Sequence, residues 1–229
     1  MFKMSLRRWL PVALVLLLPA TAVRAADPPL VRAQNAVRVL NEIEQAPDKS
    51  IPTDLLKEAH AIAVIPDLVK AGFIFGGRRG EGLISVKRRD GRWSDPSFIT
   101  MTGVSVGFQA GVSSTDVILV FRTQSGVDSI VSGKFTLGAD AAAAAGPVGR
   151  NASASTDGHL HAEIYSYSRS RGLFAGVALD GGVLRIDDDA NAAVYGAGIT
   201  PRRIFEGGVG NVPGPVVNFR DRLEEYTSR

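Results

Sequence analysis

The sequence of 229 residues contains no cysteine. This absence excludes disulfide bonds, thiolate metal ligands, a thiol nucleophile and the acylated cysteine of a bacterial lipoprotein. The chain has only three histidines, and none of its 25 glycines precedes Gly72. The uncharged stretch from Trp9 to Val23 is shorter than the roughly 20 residues of a membrane-spanning helix, and two prolines interrupt it.

The first 25 residues have the pattern of a secretory signal peptide. Three cations precede the uncharged stretch, and Val23 and Ala25 place small residues at the two positions that a signal peptidase reads. Cleavage after Ala25 leaves 22 Lys+Arg against 23 Asp+Glu, so the formal charge changes from +3 to −1. We therefore expect residues 26–229 to reach the periplasm or to be secreted. A retained membrane anchor is the alternative.

Helical periodicity occurs near both ends of the mature chain, and apolar residues alternate with period two between them. We predict a helix from Asp27 through Ile43, a short helix at 53–60 and a C-terminal helix with an apolar stripe. The alternating segments predict strands at 61–66, 73–77, 83–88, about 98–100, 103–113, 116–122, 160–167, 173–179 and 182–186. The sequence therefore predicts a single α+β domain with flanking helices and an antiparallel β-sheet, either open or barrel-like.

The stretch GFIFGGRRGEG, residues 72–82, lies in the most basic part of the chain. Seven cations oppose only Glu81 and Asp90 between residues 70 and 92, a local charge of +5. We place Arg78 and Arg79 in a turn and predict that they form an anion site with Lys70, because guanidinium groups pair well with phosphate oxygens. About 20 Å away, at the other end of strand 83–88, an auxiliary basic group comprises Lys87, Arg88, Arg89 and Arg92. Solvated charges without a ligand are the alternative.

Glycine recurs every fourth residue in two stretches. On a strand, residues four apart lie on the same face, so these glycines predict a track that a loop, a helix or an acyl chain approaches closely. The alternative is that they only permit sheet curvature. The predicted close-approach glycines are Gly72, Gly76, Gly77, Gly80, Gly103, Gly107 and Gly111.

Motifs for catalysis and nucleotide binding are incomplete. No segment fits the phosphate-binding loop GxxxxGK[ST], and a charge near zero does not favour nucleic-acid binding, so we expect neither ligand. Residues 103–107 match GxSxG, and Asp116 and His159 follow Ser105 in the order of a serine hydrolase. That motif requires a sharp turn after the serine, whereas the alternation here continues, so we interpret the match as chance.

Metal-binding patterns are incomplete as well. His159 and His161 have no third ligand nearby, and DDDAN at 187–191 lacks the glycine and glutamate of a calcium loop. We interpret the acidic cluster as a helix cap and expect no metal or cofactor. Trp93 is interpreted as a packing anchor.

The order of motifs from about residue 35 to 208 resembles the SYLF domain family. This resemblance implies binding of phosphoinositides and other anionic phospholipids, with actin binding in some eukaryotic members, and it implies no enzymatic activity. Lys70, Arg78 and Arg79 occupy the family's basic, glycine-rich region. The motifs are AHAIAVIPDLVKAGFIFGGRRGEG, GRWSDPSFI, GVSVGFQAG, SGKFTLGADAAAAAGPVGR, YSYSRSRGLFAGVALDGG and NAAVYG.

The first functional hypothesis is therefore an exported, non-enzymatic protein that binds anionic phospholipid headgroups at a membrane surface. For an exported bacterial-type protein, the available anions would be phosphatidylglycerol, cardiolipin, phosphatidic acid or a lipid A phosphate. The second hypothesis is an envelope scaffold that binds another protein. The third is a serine hydrolase centred on Ser105.

Overall fold

The computed structural model describes seven segments of the chain. The predicted signal peptide, Gly107, His159 and His161 lie outside them. No helix in the described segments is long and apolar enough to cross a membrane. The described residues are 27–44, 51–72, 75–106, 111–132, 134–148, 162–170 and 173–228.

Six helices occur in the described residues. Two are at the N-terminal end, as predicted, and three follow the last strand, of which α6 is the predicted C-terminal helix. The helices are α1 (Pro29–Glu44), α2 (Thr53–Lys57), α3 (Gln124–Val131), α4 (Asp188–Tyr195), α5 (Pro201–Phe205) and α6 (Gly214–Thr227).

In the described segments, nine strands form one strongly curled, half-barrel sheet, which confirms the predicted α+β class. Their order is β5-β9-β3-β2-β1-β4-β7-β6, and β8 pairs with β7. All pairs are antiparallel except β6 with β7, which is parallel, so the sheet is mixed. The strands are β1 (Ala61–Gly72), β2 (Phe75–Val86), β3 (Ser97–Val106), β4 (Gly111–Phe121), β5 (Lys134–Thr136), β6 (Ala143–Ala145), β7 (Ile164–Ser170), β8 (Leu173–Gly176) and β9 (Val183–Ile186).

The sheet separates two hydrophobic cores. One face, which we call the α1 face, packs against α1 and α6 through residues such as Val64, Leu83 and Ile118. The other, the α3 face, packs against α3 and α5 through residues such as Ile65 and Ile84. Because side chains alternate along a strand, both faces of the central strands are apolar where both are covered.

Strand β1 carries a β-bulge in the middle. Val64 pairs with Leu83 but Val69 pairs with Arg79, so β1 has one extra residue relative to β2, and the same shift occurs against β4. Asp67 has a φ of 50° at this point. The prediction that Pro66 ends the strand was therefore wrong, because the bulge tolerates proline and β1 continues to Gly72. Past the bulge, even-numbered residues of β1 lie on the α3 face.

Strand β2 is continuous, so the prediction of a turn at Arg78 and Arg79 was wrong. The glycines on both sides of the arginines do not break the strand, because β1 and β3 pair with β2 on its two edges. The prediction of one strand over 103–113 was also wrong. β3 ends at Val106 and β4 begins at Gly111, and β2 and β1 lie between them in the sheet.

Several local predictions are confirmed. Asp187 caps α4 by accepting a hydrogen bond from the backbone nitrogen of Ala190, as expected for the acidic cluster. Trp93 is fully buried, and its Nε1 donates to Thr227 Oγ1 at 2.8 Å.

Candidate functional site

Four central strands share one end of the sheet, which we call the sheet tip. It comprises the described residues 69–72, 75–79, 102–106 and 111–115. On the α1 face, α1 crosses the sheet beside the tip, where Arg32 forms an ion pair with Glu81 of β2 at 3.0 Å. Farther along α1, Arg38 forms ion pairs with Asp67 at 3.5 Å and Asp116 at 3.3 Å. These pairs fix the helix at the base of the tip.

The three predicted anion-binding side chains do not share one face. Lys70 on β1 pairs in register with Arg78 on β2, so both lie on the α3 face. Arg79 pairs with Val69 and lies on the α1 face. Adjacent residues of a strand point to opposite faces. The two arginines therefore cannot grip one headgroup from the same side of the sheet.

Arg78 makes contacts within the protein. Its Nη2 donates to the backbone oxygens of Val104 and Asp180, each at 3.0 Å, which ties β2 to β3 and to the turn before β9. Burial lowers the pKa of Arg78, and the nearby Asp180 carboxylate opposes that shift. Arg78 is half-buried, and its Nε has no hydrogen-bond partner in the described part of the chain. The side chain therefore has a structural role at the tip.

Lys70 and Arg79 are both exposed. Within the described residues, neither side chain forms a hydrogen bond or an ion pair. The nearest acid along β2, Glu81, is engaged by Arg32. The tip residues carry three cations and no Asp or Glu. Lys70 and Arg79 are therefore available to an external anion.

An exposed apolar row crosses the tip on the α1 face. The register places Val104, Gly77, Ala71 and Val112 side by side on β3, β2, β1 and β4. Val104 is 73% exposed and Val112 is 77% exposed, the two largest values among the exposed large hydrophobic residues of the described chain. Exposed apolar residues beside cations are typical of interaction surfaces.

The close-approach glycines mostly serve the protein's own packing. A Cβ at Gly103 would lie 2.9 Å from Arg78 Nε, so this glycine makes room for that side chain. A Cβ at Gly80 would meet Ile65 and Leu68, and one at Gly76 would overlap the backbone oxygen of Ala71. Among the described residues, no atom outside the glycine and its two chain neighbours lies within 4 Å of a Cβ built at Gly77 or Gly111. Strand register and alternation place five of the glycines on the α3 face. They are Gly72, Gly76, Gly80, Gly103 and Gly111.

The auxiliary basic group lies at the opposite end of β2, roughly 30 Å from Arg79 at 3.3 Å per residue. Asp90 forms ion pairs with Arg92 at 2.9 Å and Arg88 at 3.8 Å. Lys87 donates to the backbone oxygen of Lys57 at 2.7 Å and lies 5.5 Å from the centroid of the Trp93 ring. Arg89 is exposed. This group is therefore more neutralised than the tip and is separate from it.

A pocket of about 370 Å³ lies between this group and α6. No local sequence pattern indicates this pocket, because three of its charged side chains come from α6, far along the chain. Arg220 in the pocket forms ion pairs with Asp95 at 2.8 Å and Asp221 at 3.0 Å. Its lining residues are Arg88, Arg92, Trp93, Arg220, Asp221 and Glu224.

The GxSxG match does not have the geometry of a nucleophile elbow. Ser105 lies inside β3, where it pairs with Gly76, and the strand continues to Val106. Asp116 is engaged by Arg38 and Arg169 and is therefore not available to orient a histidine. In the described segments, no group of three His, Cys, Asp or Glu residues is placed to hold a metal ion.

Comparison with known proteins identifies the family. The family model Ysc84, described as Las17-binding protein actin regulator, matches residues 102–226. The chain is 39% identical over 176 residues to LAS seventeen-binding protein 3 of Saccharomyces cerevisiae, covering 76% of this chain and 38% of the relative. It is 32% identical over 205 residues to SH3 domain-containing YSC84-like protein 1 of Homo sapiens, covering 86% of this chain and 59% of the relative.

The fold therefore defines the class of the protein, an α+β domain with a curled sheet and flanking helices. The chain belongs to the Ysc84 (SYLF) family, as the ordered motifs predicted. It spans less than two thirds of the length of these two relatives.

Proposed function

We propose that this chain is an exported, non-enzymatic protein that binds anionic phospholipid headgroups at a membrane surface. The observation that carries the proposal is the acid-free sheet tip. There, the exposed cations Lys70 and Arg79 lie beside an exposed apolar row. A phospholipid surface offers phosphate to the cations and hydrocarbon to the row, so it complements both features.

The expected affinity is modest and depends on salt. Each basic side chain near an anionic membrane contributes about 1 kcal/mol, and the contribution falls within a Debye length of about 8 Å at physiological salt. Two exposed cations with a partly exposed third therefore give reversible, peripheral binding. Arg78 contributes mainly by holding the tip together, and Lys70 and Arg79 contact the phosphates.

Vesicle co-sedimentation tests this function. Purified protein is mixed with vesicles of phosphatidylcholine alone or with added phosphatidylglycerol. We expect binding only to the anionic vesicles, and at least tenfold weaker binding for the variant with both Lys70→Glu and Arg79→Glu, because each swap removes about 1 kcal/mol of attraction and adds repulsion.

Arg89→Glu is the matched control for Arg79→Glu. It makes the same change of charge at an exposed arginine at the far end of β2, and we expect its affinity to stay within about twofold of the unmodified protein. Equal binding to neutral and anionic vesicles, or full binding by the double variant, would contradict the proposal.

Export is tested separately. After expression in a bacterium, the protein is recovered from the periplasmic fraction and the mass of its N-terminal peptide is measured. The proposal expects a chain that starts at Ala26, because Val23 and Ala25 fit the two small-residue positions of a cleavage site. An intact N-terminus on a membrane-bound protein would instead support a retained anchor.

A protein partner is the second candidate, favoured by the names of the relatives. One relative is named for binding LAS seventeen, and the family model is described as an actin regulator. Under this hypothesis the tip binds an acidic, partly apolar protein surface in the envelope. Site-specific cross-linking from the tip in cells distinguishes the two, since the lipid proposal expects lipid adducts and the alternative expects one protein adduct of defined mass.

A further inference from the structure

The exposed valines of the tip lie beyond the cations. The register gives the outer row Val104, Gly77, Ala71 and Val112, and the next row on the α1 face contains Thr102, Arg79, Val69 and Ser114. The two rows are two residues apart along each strand. At 3.3 Å per residue this separation is about 7 Å.

That separation matches the dimensions of a lipid leaflet. The hydrocarbon core of a bilayer is about 30 Å thick and the whole bilayer about 40–45 Å, so each headgroup layer is roughly 5–8 Å deep. When the outer row reaches the hydrocarbon boundary of a bilayer, the row that contains Arg79 lies at the depth of the phosphates.

The cations lie on both faces of the tip. Arg79 lies on the α1 face, and Lys70 lies on the α3 face, opposite Arg78. A bilayer that approached the α1 face flat would meet α1, which crosses at Glu81, and would not reach Lys70. A bilayer that approached the α3 face flat would meet the Asp180 turn, which contacts Arg78. Only an end-on approach brings both exposed cations to one lipid surface.

We propose that the sheet tip docks end-on into an anionic bilayer. Val104 and Val112 reach the hydrocarbon boundary, while Arg79 and Lys70 contact lipid phosphates from the two faces of the sheet. This inference rests on the proposed function and specifies its geometry. A second copy of the chain is a poor occupant, because the tip carries three cations and no Asp or Glu, and two tips would repel each other.

The depth of the tip is measured with single labels, which the absence of cysteine makes specific. An environment-sensitive fluorophore is attached to Val104→Cys, Val112→Cys or Gln124→Cys. Gln124 is exposed and begins α3 beyond the far end of β4, so it is the control. On phosphatidylglycerol-containing vesicles, we expect blue-shifted emission and protection from aqueous iodide at positions 104 and 112, and neither effect at position 124.

A matched pair of variants tests whether apolarity contributes to binding. Val104→Thr with Val112→Thr keeps β-branched side chains of nearly the same shape, whereas Val104→Ile with Val112→Ile keeps them apolar. The variant with Val104→Thr and Val112→Thr should bind anionic vesicles about tenfold more weakly. At each position a hydroxyl replaces a methyl group that the bilayer would bury. The isoleucine pair should bind equally well or more tightly.

The outcomes separate the two proposals. Salt-sensitive binding to anionic vesicles, with labels 104 and 112 still exposed to iodide, overturns end-on docking and leaves the proposed function standing. A blue shift that appears without vesicles as protein concentration rises also overturns it, in favour of self-association. Absence of binding to any anionic vesicle refutes the proposed function itself, and end-on docking with it.

Discussion

The backbone nitrogen of Asp67 donates a hydrogen bond to Asp116 Oδ1 at 3.0 Å. This bond joins the bulge of β1 to β4. The extra residue at the bulge reverses the alternation of β1, which places Lys70 on the same face as Arg78 and opposite to Arg79. The position of the first cation of the tip therefore depends on a buried carboxylate on the neighbouring strand.

Asp116→Ala should lower the free energy of unfolding by about 3 kcal/mol, because it leaves the partly buried Arg38 and Arg169 without this partner and removes an acceptor at the bulge. Urea unfolding measures the loss. Asp90→Ala is the control, since Asp90 also pairs with arginines but in an exposed turn, and it should cost much less stability than Asp116→Ala. Equal costs for the two variants would show that the Asp116 network does not stabilise the bulge.

Arg78→Ala and Arg79→Ala should differ in their effects, the first mainly on stability and the second mainly on vesicle binding. Arg78→Ala should reduce stability by about 1–2 kcal/mol, because it removes two hydrogen bonds from a charged donor. Arg79→Ala should stay within about 0.5 kcal/mol of the unmodified protein, as exposed substitutions do, while weakening vesicle binding. Thermal unfolding and co-sedimentation are measured on the same samples. A large loss of stability for Arg79→Ala would be inconsistent with its exposed position.

Tyr167→Phe should leave stability unchanged or raise it by about 1 kcal/mol. The Tyr167 hydroxyl is buried without a hydrogen-bond partner in the described part of the chain, so its removal relieves a desolvation cost. Burial, with a smaller effect of Tyr165, raises the pKa of Tyr167 above the usual range.

Tyr195→Phe is the matched comparison. The Tyr195 hydroxyl donates to the backbone oxygen of Pro96, so its removal should cost about 1 kcal/mol. Chemical denaturation of both variants at neutral pH checks the pair, and a destabilised Tyr167→Phe would indicate that its hydroxyl has a partner after all.

Glu163 should add an acid-sensitive contribution to stability. Hydrogen bonds from Ser125 and Thr123 lower the pKa of its carboxyl group in the folded protein. The contribution is therefore fully present above the unfolded pKa of about 4.3 and is lost as the pH falls through the lower, folded pKa. The free energies of unfolding of Glu163→Gln and of the unmodified protein are compared from pH 7 downward. We expect the difference between them to shrink only in this acidic range. A difference that grows at acidic pH would contradict the sign of the shift.

Local sequence patterns determined much of the secondary structure. The periodicity of α1 and α6 and the cap at the acidic cluster each depend on residues a few positions apart, and each is confirmed. The ordered motifs likewise identified the family. These features follow from short-range backbone geometry, which a single segment specifies by itself.

The candidate site was predicted only in part. The sequence identified the basic residues Lys70 and Arg79 and the glycines beside them, but it placed the arginines in a turn. It placed Val104 and Val112 on the same strand, 103–113. Both side chains are instead exposed, on two strands that two others separate. Alternation predicts which residues share a face but not whether another layer covers that face.

The sequence by itself determined which charges the tip carries, that helices lie at both ends of the chain, and which family the chain belongs to. Tertiary structure alone decided that β2 runs straight through the arginines, that the bulge at Asp67 turns Lys70 to the α3 face, and that the valine row is left uncovered. Strand pairing and the layers above a sheet join residues far apart in the chain, and the free energy of those contacts outweighs the local preference of glycine for turns.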